Sequence, residues 1–344
     1  MNPLLVTLAL VAGADPAGDW KEQESAYLKN IKQVTTGFAR AGEGYFSPDG
    51  KRIIYQAEEK ETGNPFYQIF IQELDTGKFW RVSPGKGRTT CAFFHPKQDR
   101  VIFASSHEDP DAKAHQDAEV KQREEDAKAG KRRRYSWDFD PYMKIYSAAP
   151  DGTDLKCLTP DAKVYTAEGS YNADGTKIVY SAGNAGNVQL YIMDADGKNA
   201  KPLTTAKGCY NGGPFLSPDG TKVIFRSDRK EKDRLQLYVV NADGTGEKAL
   251  TEDDKWVYWA PYWYKDGKHI IYTAADHSDE KARPNYDLYW MNIETKKVTR
   301  LTFAPGQDVL PVFSPDYTKV MWTSSRDGRS PTQLYIADFT PPKE

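Results

Sequence analysis

The chain has 344 residues, 39% hydrophobic and 28% charged, with a formal net charge of −2, and is long enough to bury a sizeable core. Balanced charge provides no global positive field for a polyanion, so nucleic acid is not an expected partner. No apolar run approaches the roughly 20 residues of a membrane helix. Plentiful Gly (26), Pro (21), Tyr (21) and Trp (8) with sparse Leu favour short strands and tight turns over helix bundles. Cys91, Cys157 and Cys209 are scattered and odd in number, so they suggest neither a disulfide framework nor a zinc-binding pair.

At the N-terminus, Leu4 to Val11 is apolar and runs into Ala12-Gly13-Ala14 before Asp15. This is the pattern of a secretory signal peptide over residues 1–14, although no Lys or Arg precedes it. No Cys follows to carry a lipid anchor. Export to the periplasm or the medium is expected, with residues 15–30 leading into the first strand.

From there one phrase recurs about every 47 residues: Phe46-Ser-Pro-Asp-Gly50, Phe94-His-Pro-Lys-Gln98, Tyr171-Asn-Ala-Asp-Gly175, Leu216-Ser-Pro-Asp-Gly220, Trp263-Tyr-Lys-Asp-Gly267 and Phe313-Ser-Pro-Asp-Tyr317. Each precedes a β-rich run such as Arg52-Ile-Ile-Tyr55 or Lys222-Val-Ile-Phe225. Pro presets φ, and Asp-Gly supplies the cap and the left-handed residue of a tight turn between antiparallel strands. A third strand follows, as in Gln189-Leu-Tyr-Ile192 or Gln333-Leu-Tyr-Ile336, and then a fourth that closes on a dipeptide. These dipeptides are Val34-Thr35, Val82-Ser83, Leu158-Thr159, Leu203-Thr204, Leu250-Thr251 and Leu301-Thr302. Four strands per repeat, with no helix to cover them, must stack as blades of a β-propeller. The first dipeptide precedes the first Pro-Asp-Gly phrase, and the last unit has none. Six four-stranded antiparallel blades over residues 31–340 are therefore predicted, with Ile31 to Thr35 completing the last blade and closing the ring.

The tight turns share one face of such a ring, and the longer connections share the other, where binding is expected. The longest connection is an insertion in blade 2 over residues 107–140. Asp109-Pro110 would start a charged, stripe-free helix and Gly130 would stop it, so a solvated helix projecting from the rim is predicted.

Phosphate-loop, nucleophile-elbow and zinc-protease motifs are missing from the sequence, and no catalytic residue, metal ligand or cofactor is assigned. Three positions before each repeat aromatic lie Glu43, Cys91, Glu168, Gly213, Ala260 and Leu310. Glu43 and Glu168 would thus flank Cys91 at the channel mouth, with His107, Glu108 and Asp308 nearby. That cluster reads either as a seat for a small cation or as acids bonded to backbone and water. Tyr258 and Trp259, in the aromatic stretch 256–264, are placed at the mouth as a stacking surface for a sugar or peptide, against blade packing as the alternative. His277 is a further rim candidate. Asp194 to Asn199 reads as a hairpin turn rather than a calcium loop, and Lys131 to Arg134 as a solvated or internally paired run.

These phrases resemble the TolB-like, WD-like β-propeller family, through F-S-P-D-G-x-[KR] followed by L-Y-[IV] and L-T, over about Ile31 to Phe339. The opening of blade 2, Val82 to Cys91, is similar to an exported bacterial subset without the α/β domain that precedes the propeller in TolB itself. The resemblance implies a monomeric, exported propeller that binds a protein or peptide partner at its long-loop face. Similarity also extends to oligogalacturonide-lyase-like propellers, which implies the alternative of a lyase or hydrolase acting on a saccharide or peptide. Channel-mouth histidines, here His107 and His277, would have to cluster for that.

Overall fold

The computed structural model describes residues 19–131, 139–279, 281–326 and 331–343. The signal-peptide reading and Arg132 to Arg134 of the basic run lie outside them. The described chain forms six four-stranded antiparallel sheets around an axis. Blades 1 to 5 begin at the inner strands Arg40–Phe46, Thr89–Phe94, Tyr165–Tyr171, Asn211–Leu216 and Trp256–Trp263. Blade 6 has Asp308–Phe313 inside, then Lys319–Ser324 and Gln333–Phe339, and takes Leu28–Gln33 as its outer strand.

The repeat phrases have direct physical roles. In the Ser-Pro-Asp-Gly turns, Ser47, Ser217 and Ser314 donate to Asp49, Asp219 and Asp316 and accept the amides of Arg52, Lys222 and Lys319. The aspartates are held below the usual carboxylate range by those hydroxyl bonds. In the closing dipeptides the aliphatic residue enters the core and the hydroxyl accepts a third-strand amide. Leu334, Ile69, Ile145, Leu190, Leu237 and Leu288 donate to Thr35, Ser83, Thr159, Thr204, Thr251 and Thr302 at 2.8–3.0 Å. The hydroxyls of Thr35, Ser83 and Thr204 in turn donate to Gln333, Gln68 and Gln189, which accounts for the Gln before Leu-Tyr.

The remaining repeat signal is an aromatic pair. Tyr55–Phe70, Phe103–Tyr146, Tyr180–Tyr191, Phe225–Tyr238, Tyr272–Tyr289 and Trp322–Tyr335 face each other across strands two and three. Their rings stack with centroids 5.6–6.3 Å apart. One such pair per blade is a cross-strand contact on each sheet face.

Ring closure begins three residues earlier than expected, with Leu28 opposite Phe339 and Gln33 opposite Tyr335. Thr35 lies just past the strand, where its hydroxyl is needed as a cap. A short helix, α1 (Trp20–Ser25), precedes the strand and buries Glu24. Glu24 accepts the amides of Phe303 and Ala304 at 2.8 and 3.1 Å, in the connection from blade 5 to blade 6. Arg326 bonds Glu24 at 3.1 Å and Asp308 at 2.9 Å, with every side chain in this trio at most 3% exposed. The last two blades are thus tied to the leading segment by strand pairing and by a buried ion cluster.

The blade-2 insertion contains α2 (Ala112–Lys128), with Asp111 rather than Asp109 at the N-cap position but making no side-chain cap bond. Asp109 instead accepts the Asp111 amide and meets His115 at 2.9 Å. The helix is mostly solvated, as expected, but it does not simply project. Arg123 reaches Glu58 at 2.7 Å and the Pro65 carbonyl at 2.8 Å, fastening α2 to blade 1.

A chain starting at residue 36 should lose both the outer strand of blade 6 and the Glu24 contacts, exposing a sheet edge. Its melting temperature should fall sharply relative to a chain starting at residue 19, as read by circular dichroism. Equal melting temperatures would remove ring closure as a source of stability.

Candidate functional site

Each inner strand carries a bulge that shifts its register against strand two. The bulge residue is Glu43, Cys91, Glu168, Gly213, Ala260 or Leu310, and all six have φ between 46° and 58°. A left-handed residue at a bulge bends the strand and re-aims its side chain. Here all six line one central cavity. The bulge amide also reaches the preceding blade: Glu43 donates to Thr323 at 2.9 Å, Leu310 to Thr273 at 3.1 Å and Gly213 to Glu168 at 3.1 Å.

Two residues beyond the bulge, Tyr45, Phe93, Phe215 and Tyr262 pack ring to ring, with neighbouring centroids 4.9–6.4 Å apart. They close the channel on the tight-turn side. The cavity left above them is about 30 Å³, room for about a water or an ammonium group.

Its wall is polar on one side. Glu168, with a side chain 4% exposed, pairs with Arg226 of strand two in blade 4. Tyr210 donates to Glu168 at 2.7 Å, and Arg226 bonds the same hydroxyl at 2.8 Å. Gly212 and Gly213 make this possible. A Cβ on Gly212 would lie 1.9 Å from the Tyr210 hydroxyl, and one on Gly213 2.1 Å from the Arg226 guanidinium.

Glu43 faces the same space without a cation of its own. Burial pushes its carboxyl up to about 7, with repulsion from Glu168 adding to this and the Cys91 thiol and Arg226 opposing it. Two carboxyls therefore share one arginine. Cys91 is a free, buried thiol whose pKa is raised by burial and by both glutamates, so it stays protonated and unreactive.

The other sequence candidates divide. Trp259 is half-buried at the mouth, 6.0 Å from the Arg226 guanidinium and edge-on to Tyr286. His277 bonds the Tyr286 hydroxyl at 2.8 Å, extending this group along blade 5. Tyr258 is not at the mouth. Strand alternation turns it away from Trp259 into the packing between blades 4 and 5. Asp308 is not an open acid either, because the Arg326 cluster, Trp322 and Ser324 consume its oxygens. His107 bonds Ser105 at 2.9 Å and lies on Tyr146, while Glu108 meets Lys144 at 3.5 Å. His107 and His277 thus stand on blades 2 and 5, across the ring from each other. No group of three or more His, Cys, Asp or Glu among the described residues is arranged to hold a metal ion.

Arg226, Tyr210 and Tyr286 were not singled out from sequence. The signal for Arg226 was present: the fifth residue of the second-strand run reads Gln56, Ala104, Ser181, Arg226, Thr273 and Thr323. Only blade 4 places a charge there, opposite a Gly-Gly bulge.

Six four-stranded antiparallel blades around one axis define a six-bladed β-propeller. Residues 155–284 match the family model of the TolB beta propeller domain. A TolB structure from Agrobacterium tumefaciens is similar at 17% identity and TM-score 0.59, covering 92% of this chain and 98% of that one. TolB from Acinetobacter baumannii has 18% identity and TM-score 0.55, over 89% of this chain and 65% of that one. Oligogalacturonate lyase from Vibrio parahaemolyticus has 14% identity and TM-score 0.53, over 90% and 93%. At these identities the likeness shows the fold. No curated protein sequence matches significantly.

Arg226→Met should strand the Glu168 carboxylate and cost about 3–5 kcal/mol in chemical denaturation. Adding Glu168→Gln should recover most of the loss, and an additive double mutant would show that the two residues do not act as a pair. Glu43 holds its proton to about pH 7 when folded, against 4.5 for an ordinary glutamate. The fold therefore binds the extra proton between those values and loses stability as pH rises through that window. Asp287 is also pushed up to about 7, chiefly by burial, and contributes to the same slope. Glu43→Gln should flatten, but not abolish, the decline in melting temperature over this range.

Proposed function

We propose that this chain is an exported, non-catalytic binding module that takes a protein or peptide partner on its long-loop face. The observation that carries this reading is the asymmetry of the channel. Aromatic rings seal it beside the tight turns, while Glu43, Arg226 and Trp259 lie towards its open side. Only the long-loop face therefore offers a concave, chemically mixed surface on a rigid ring. The helix α2, bridging from blade 2 to blade 1 through Arg123 and Glu58, adds reach on that side. The N-terminal apolar segment supports export, and the TolB neighbours supply the precedent for the scaffold. The alternative, a lyase or hydrolase at the mouth, calls for converging histidines, and His107 and His277 are engaged on opposite blades.

A photo-crosslinking residue at Trp259 should capture a partner in the exported fraction, whereas one at Lys51 on the tight-turn face should not. The captured protein, once identified by mass spectrometry and purified, should bind the wild-type propeller directly. Replacing residues 111–130 with a short Gly-Ser linker should weaken that binding yet shift the melting temperature by only a few degrees, roughly what surface changes cost. Capture from Lys51 alone, or equally from both faces, would overturn the assignment.

A further inference from the structure

A second cavity lies away from the channel, between blades 4 and 5, with a volume of about 440 Å³. That is within the roughly 300–1,000 Å³ range of small-molecule sites. Its aromatic surface comes from Trp256, Tyr258, Tyr272 and Tyr289. Trp256 and Tyr289 meet edge-on at 85°, forming a corner, and Tyr258 leans on Tyr272.

The cavity exists because blade 5 departs from its siblings. In three other blades the residue four past the second-strand aromatic folds back over the stacked pair. These are His107 on Tyr146, Arg229 on Phe225 and Tyr238, and Arg326 on Trp322 and Tyr335. In blade 1 Phe38 covers Tyr55 and Phe70 from the inter-blade connection. Blade 3 replaces that position with a tight turn at Asn184–Asn187. In blade 5 the residue is Asp276, which is exposed and accepts the Ser278 amide at 2.7 Å. Space that His107, Arg229 and Arg326 fill in blades 2, 4 and 6 is left open here.

Tyr258 and Tyr272 are 6% and 1% exposed, and their hydroxyls make no hydrogen bond to another described residue. Each hydroxyl can both donate and accept. At the edge, the Lys296 ammonium donates to the Leu250 carbonyl at 3.1 Å and keeps further protons to give. Glu252 and Asp253 stand on the same lining. Donors and acceptors of both signs therefore surround a flat aromatic floor, and no single charge dominates.

We propose that this cavity is a binding site for a neutral saccharide, one or two sugar rings in size. A sugar presents a C–H face that packs on aromatic rings and a rim of hydroxyls that each need a donor and an acceptor. Tyr258 and Tyr272 would bond ring hydroxyls, Trp256 and Tyr289 would bracket the ring, and Lys296 with Asp253 would bond its edge. The site is separate from the channel mouth, so it stands or falls independently of partner binding there.

Saturation-transfer NMR and calorimetry with glucose, galactose, mannose, N-acetylglucosamine and their disaccharides test this on the full chain. At least one neutral sugar should bind saturably. The double variant Tyr258→Phe, Tyr272→Phe should weaken it by about tenfold or more, as loss of built hydroxyl contacts does. That variant should melt no lower than wild type, because the lost hydroxyls bond nothing in the protein. Ala274→Leu, which fills the cavity from its wall, should abolish binding. Failure of every sugar to bind would overturn the proposal, as would binding indifferent to these variants. Selective binding of indole or tryptophanamide instead would overturn it in favour of an aromatic side chain as occupant.

Discussion

A left-handed residue in the middle of every inner strand is the constraint on which the central site rests. At φ near 50° the strand cannot continue its pairing, so it bulges, and the side chain at that position turns to the axis. The liberated amide must still find an acceptor. At three bulges it finds one on the preceding blade: Glu43 on Thr323, Gly213 on Glu168 and Leu310 on Thr273. The same distortion therefore fastens adjacent blades and populates the channel. Where the bulge residue is Gly213, it leaves space instead of a side chain, and Arg226 of the next strand reaches through it.

The channel chemistry follows from that substitution pattern. Five bulges carry neutral or acidic residues with neutral second-strand partners, and one supplies the cation. Arg226 is committed to Glu168 and Tyr210, which leaves Glu43 to be stabilised mainly by retaining its proton. A protonated Glu43 makes the cavity close to neutral, and an ionised one makes it an anion facing the mouth. The transition falls near neutral pH because burial and the second glutamate both oppose ionisation.

Fold and closure were legible in the sequence because each repeat phrase performs a local task. Ser-Pro-Asp-Gly closes a turn, Leu-Thr caps an amide, and Gln-Leu-Tyr supplies the cap's acceptor and half of an aromatic stack. Such tasks need only neighbours within one blade. The acidic pair Glu43 and Glu168 could be placed by counting from the aromatic, since the bulge is equally spaced in all six units. What escaped depends on partners distant in sequence. Asp308 reads as an open acid until Arg326 and Glu24 are seen to enclose it. Tyr258 and Trp259 are adjacent, and without the bulge register their opposite facings cannot be assigned. The insertion helix shows no apolar stripe because a single arginine, Arg123, rather than a hydrophobic face, holds it to blade 1.

Repetition gives this molecule its stability, and departures from repetition give it its sites. Four of the six aromatic stacks are covered by Phe38, His107, Arg229 or Arg326, each a different solution to shielding the same pair of rings. A cationic cover gains from the ring faces, and an aromatic one from edge contact. In blade 5 Trp256 and Tyr258 touch the rings from one side, while Asp276, small and acidic, turns to its own loop. A gap beside such a stack would ordinarily be a loss, since the cavity forgoes dispersion contacts. A scaffold that fills this position with a large side chain in blades 2, 4 and 6 and leaves Asp276 there in blade 5 has the same form as the Gly-Gly bulge of blade 4. In both cases the removal of side-chain volume from one copy of the repeat creates room for another group. In blade 4 that group is Arg226 from the chain itself, and in blade 5 the space beside Tyr258 and Tyr272 is a cavity of about 440 Å³.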